Sequence, residues 1–130
     1  MPVDQTLVGR AFLPTSPYAV TAEKVREFAA ATGYPVAGQV PPTFPIVLAF
    51  EAMNAFLAEV GVELSRIVHG EQRFAYERAV EVGDVLTATL SVASLRQIAG
   101  SDIIGTVSEI TDAAGALVCT TRATLVHREA

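Results

Sequence analysis

Apolar and polar residues change period at identifiable places along this chain. From Val85 to Ile98 the residues Leu86, Ala88, Leu90 and Val92 fall at every second position, the spacing of a strand with one buried face. Gly100-Ser101-Asp102 reads as a turn, Ile103 to Thr111 as the next strand and Ala113-Ala114-Gly115 as another turn. Leu117 to His127 is the last strand, with Leu117, Cys119, Ala123 and Leu125 on one face. Ile67 to Val82 reads as an earlier strand, ended by a turn at Gly83-Asp84. Upstream the period becomes helical. Thr21 has the character of an N-cap for a short amphipathic helix that Gly33 stops, after a short extended piece at Tyr18-Ala19-Val20.

A second helix is predicted from Thr43, as N-cap, to about Val60, with Gly61 as its stop. Pro45 is tolerated near its start because first-turn amides have no partner within the helix. This helix is apolar nearly all round, with only Glu51, Asn54 and Glu59 breaking the pattern. Such a helix has to be surrounded, and the four strands and the N-terminal piece are what can surround it. The expectation is a single α+β domain over residues 1–130, a curved antiparallel sheet wrapped around a central buried helix.

Composition narrows the partners. Hydrophobic residues make up 51% and charged residues 18% of the 130, too apolar for a disordered tail and too interrupted for a membrane span. That apolar content suggests a homodimer. The formal charge is -5, with one Lys and eight scattered Arg, so no basic face for nucleic acid is expected. Cys119 is the only cysteine, which excludes an internal disulfide and a cysteine metal cluster. The two His lack a third ligand at metal spacing, and neither metal nor cofactor is expected. The opening residues carry no signal-peptide pattern, so a cytoplasmic location is the default expectation.

Several short segments, in order, resemble the MaoC-like dehydratase/hydratase family. They are Val8-Gly9-Arg10, Tyr18 with Val20 before Glu23-Lys24-Val25-Arg26-Glu27-Phe28-Ala29, Pro42-Thr43-Phe44, Gln72-Arg73-Phe74-Ala75-Tyr76 and Val82-Gly83-Asp84. The likeness is to actinobacterial single-hot-dog proteins, including small subunits of hydroxyacyl-carrier-protein dehydratases. It implies a hot-dog fold, an acyl thioester of coenzyme A or acyl carrier protein in a tunnel at a subunit boundary, and a homodimer or a heterodimer with another hot-dog chain. It also implies that an amide at the start of the central helix polarises the thioester carbonyl, which suits the positive end of a helix.

Two departures stand out. Active relatives use a Gly-Asp-x-Asn-Pro-x-His type segment to supply an acid and a base, whereas here the short stretch Gly33 to Val40 has neither; Phe28 to Phe50 runs twenty-three residues without Asp, Glu, His, Lys or Arg. Where relatives place His-Gly at the helix start, this chain has Pro41-Pro42, so only the Thr43 or Phe44 amide remains to meet an oxyanion.

The remaining acid-base candidates are His69 and Glu71, two residues apart on a strand and so expected on one face as an orienting pair. Strict alternation would turn both outward, with Val68, Gln72, Phe74 and Tyr76 inward; Gly70 permits a bulge that re-aims His69. Glu51 and Asn54 are candidates to line an acyl tunnel and Tyr34 to hydrogen-bond a substrate, while Cys119 reads as a small buried residue and His127 as packing or terminal surface. The leading expectation is an enzyme that hydrolyses acyl thioesters or adds a nucleophile to enoyl thioesters, with His69 as base. The alternatives are a non-catalytic tunnel-forming subunit of a heterodimeric dehydratase and a non-enzymatic thioester binder.

Overall fold

The computed structural model describes residues 4–35 and 38–128. Val36 and Ala37, in the shortened stretch, and the first three residues lie outside the described residues. Five strands form one antiparallel sheet: β1 (Tyr18–Ala19), β2 (Ile67–Tyr76), β3 (Val85–Ile98), β4 (Ser101–Thr111) and β5 (Leu117–Arg128), in the order β1-β3-β4-β5-β2. Among the described residues two α-helices, α1 (Ala22–Thr32) and α2 (Ile46–Val60), precede the long strands. This is the expected hot-dog arrangement.

Alternation in the strands sets the core. Leu86, Ala88, Leu90 and Val92 of β3, Ile104 and Ile110 of β4 and Leu125 of β5 meet Leu48, Ala52, Phe56 and Leu57 of α2 in one cluster. Phe12, from the irregular N-terminal segment, packs edge-on against Phe56 at 4.9 Å between ring centroids. Thr21 caps α1 by accepting from the Lys24 amide, and Gly33 and Gly61 end the two helices with φ of 73° and 75°, where only glycine is unstrained.

Two expectations need correction. Thr43 does not cap α2: Pro45 occupies the N-cap, and the chain enters through successive tight turns in which Phe44 N–H donates to Pro41 O and Ile46 N–H to Thr43 O. Pro45 has no amide to donate, so its conformation suits this tightened entry. The strand predicted to reach Val82 ends at Tyr76. Beyond it Arg78 holds a loop in place, donating to Asp84 at 2.8 and 3.1 Å and to Asp112 at 3.3 Å. Asp84 raises the Arg78 guanidinium pKa, and Arg78 in turn holds the Asp84 carboxyl below the usual range.

Candidate functional site

β2 is the exposed edge of the sheet, and its irregularity builds the site. The pairing of β2 with β5 shifts between His69 and Glu71: His69 faces Leu125, Glu71 faces Thr124 and Gln72 faces Ala123, leaving Gly70 as the extra residue. The bulge therefore puts His69 and Gln72 on the same inner face, while Glu71 turns outward. His69 Nε2 lies 2.9 Å from Gln72 Oε1, and since an amide oxygen only accepts, Nε2 is the donor in this contact. The Glu71 carboxylate pairs with Arg73 at 2.7 Å. The expected His69–Glu71 orienting pair is absent, because two residues separated by a bulge no longer share a face. Val68, expected inward, is 49% exposed for the same reason.

His69 and Gln72 open onto a small pocket between β2 and the apolar side of α2, walled by Ile46, Ala49, Phe50 and Met53. Its floor is Thr106 and Ser108 of β4 with Thr121 and Ala123 of β5, and its volume is about 10 Å³. Thr106, Ser108 and Thr121 did not figure among the sequence candidates. The signal was present, since they occupy inward positions of strands whose other inward residues are Ile104, Ile110, Cys119 and Leu125.

The entrance to α2 is a second cluster. Phe44 is fully buried, with its ring 5.4 Å from Phe28 and 6.3 Å from Tyr18. Its amide is committed to Pro41 O, so Phe44 does not offer an oxyanion donor as expected. Thr43 is exposed, and among the described residues its amide has no acceptor. The Tyr76 hydroxyl donates to Pro42 O, tying the end of β2 to this entrance; burial, with a smaller contribution from Cys119, pushes its phenol pKa well above the ordinary value.

The other candidates lie apart. Tyr34 OH donates to Gln39 Oε1 at 3.2 Å beyond α1. Glu51 is exposed on a different side of α2, in an open groove against Leu13, Pro14 and Ser16, and Asn54 is half-buried. Cys119 is buried, and burial raises its thiol pKa, against the character of a nucleophile. His127 is buried as packing, and its Nδ1 lies 3.1 Å from Asp102, to which Gln97 also donates at 3.0 Å. Among the described residues no group of three His, Cys, Asp or Glu is placed to hold a metal, and no helix is long and apolar enough to cross a membrane.

A curled antiparallel sheet around one buried helix is the hot-dog fold, the class to which dehydratases and hydratases of similar structure belong. Residues 37–121 match the model of the FAS1-like, dehydratase domain region, and the chain belongs to that family. A UPF0336 protein of Leifsonia xyli is 42% identical over 98% of this chain and 97% of its own. A UPF0336 protein of Streptomyces avermitilis is 40% identical over 147 aligned positions spanning all 130 residues here, so it carries positions with no counterpart in this chain. The HadBC (3R-hydroxyacyl-ACP dehydratase) complex of Mycobacterium tuberculosis contains a chain 28% identical, with a TM-score of 0.78 over 92% of this chain and 96% of that one. A MaoC-like dehydratase is 29% identical at a TM-score of 0.81, and this chain spans 43% of its length.

Proposed function

We propose that this chain is the acyl-binding subunit of a hydroxyacyl-thioester dehydratase, working with a second hot-dog chain that supplies the acid and base. The observation that carries this reading is the β2 side of the molecule. There, among the described residues, the outer edge of β2 pairs with no strand, Phe50, 44% exposed, lines the His69–Gln72 pocket, and Val68 on the outer face of the same strand is 49% exposed. Exposed apolar side chains along an open edge are what a partner strand covers. Across Phe28 to Phe50, where relatives with the Gly-Asp-x-Asn-Pro-x-His segment carry their dyad, this chain has no acid or base. The similarity to a chain of the HadBC complex supports the same reading. The thioester would come from coenzyme A or an acyl carrier protein, in the cytoplasm.

A second reading rests on His69 itself. The bulge turns its ring inward to a pocket beside α2, so a homodimer using His69 as base, for hydrolysis of a thioester or conjugate addition to an enoyl thioester, is the alternative. One experiment separates them: crotonyl-coenzyme A is incubated with the purified chain, with His69→Ala, and with the chain plus a hot-dog chain bearing the Gly-Asp-x-Asn-Pro-x-His segment. The subunit reading expects no hydrate from the chain alone and hydrate from the pair, whether or not His69 is present. Turnover by the chain alone that His69→Ala abolishes would overturn it in favour of the second reading.

A further inference from the structure

The floor of the pocket under α2 is more polar than an acyl tunnel requires. Thr106, Ser108 and Thr121 are only 4%, 3% and 2% exposed, yet all three line it. Ser108 and Thr121 are directly opposed across β4 and β5, and Thr106 lies two residues along the same face from Ser108, about 7 Å away at the rise of a strand. Among the described residues none of the three hydroxyls has a hydrogen-bond partner. No fully enclosed side-chain oxygen or nitrogen among them lacks a partner either, so each hydroxyl opens onto space that water reaches. Burying three hydroxyls with nothing to bond is costly, and natural cores avoid it. The open volume of about 10 Å³ is close to the minimum that holds one water.

We propose that this pocket is a site for one hydroxyl-sized oxygen group, filled by a water in the free chain and by an oxygen substituent of the acyl chain when substrate is bound. The second half rests on the acyl-binding reading above. Hydroxyls both donate and accept, so the floor suits an alcohol or ketone oxygen. A methylene in that place displaces the water without replacing its hydrogen bonds, which disfavours wholly aliphatic acyl groups. The half-exposed Phe50 is among the side chains that line the pocket.

The test has two arms on the full chain. In the first, NMR cross-relaxation from water to the methyl groups of Thr106 and Thr121 detects a long-lived internal water; its absence from the wild-type chain overturns the site. In the second, ligand-detected NMR titration compares N-acetylcysteamine thioesters of 5-hydroxypentanoic and hexanoic acid, which have equal chain length, on wild type and on the near-isosteric Thr106→Val/Thr121→Val double variant. The expected result is about tenfold tighter binding of the hydroxylated probe to wild type, the worth of one well-made hydrogen bond, with the preference lost in the variant. A detected water with hexanoyl preferred, or with a preference the variant keeps, overturns the acyl-oxygen assignment and leaves acyl binding intact. A detected water with neither thioester bound overturns the acyl-binding reading, and with it the substrate class, while the water site stands.

Discussion

Phe44 is the side chain whose removal most directly tests how α2 is seated. It is fully buried at the helix entrance, with Phe28 of α1 packed at 74° to its ring and Tyr18 of β1 at 59°. Phe44→Ala removes the ring's transfer energy and leaves a cavity bounded by two elements that this ring helps to hold, at a cost of about 3–5 kcal/mol. Each aromatic pair contributes about 0.5–1.5 kcal/mol of that beyond simple burial. Against a total stability of about 5–15 kcal/mol for a domain, the variant should fold but melt roughly 10–20 °C lower. Urea unfolding followed by far-UV circular dichroism measures the loss, and a cycle with Phe28→Ala should show coupling of about 0.5–1.5 kcal/mol. A loss under about 1.5 kcal/mol, or strict additivity with Phe28→Ala, would refute the enclosed aromatic seat.

Four further outcomes follow from the geometry. Tyr76→Phe should cost about 1 kcal/mol by removing the hydrogen bond to Pro42. Because the folded phenol pKa is raised, its contribution is full below about pH 10 and lost as pH rises through the folded value, so the variant's alkaline stability curve should be flatter in thermal melts. Asp84, whose folded pKa is lowered by Arg78, contributes stability above about pH 4 that is lost as pH falls through its folded value. In urea unfolding the gap between wild type and Arg78→Met should therefore close in acid. Val68→Lys on the open edge of β2 should leave the chain folded by circular dichroism but abolish its association with a hot-dog partner in size-exclusion chromatography. Cys119 should resist iodoacetamide in the native chain and react only on unfolding, read by mass spectrometry.

Much of the fold was legible because local physics repeats along the chain. Period-two apolar runs marked β3, β4 and β5, Gly33 and Gly61 marked both helix ends, and the apolar girth of residues 46–60 required a sheet around α2. The entry to α2 was misread because Thr43 has capping chemistry, but the prolines at positions 41, 42 and 45 tighten the turns and move the boundary two residues on. Gly70 announced a bulge, but a sequence cannot say which residues a bulge leaves facing inward. Tertiary pairing with β5 decided that His69 joins Gln72 and that Glu71 turns to Arg73. The three floor hydroxyls and the Asp102–His127 contact depend on strands brought together by hairpins, and their chemistry exists only once the registers are set. Residue order thus determined which faces had to be buried, because burial of a stripe is a property of period. Only the folded sheet decided which polar groups share a pocket, because that depends on register between segments distant in the chain.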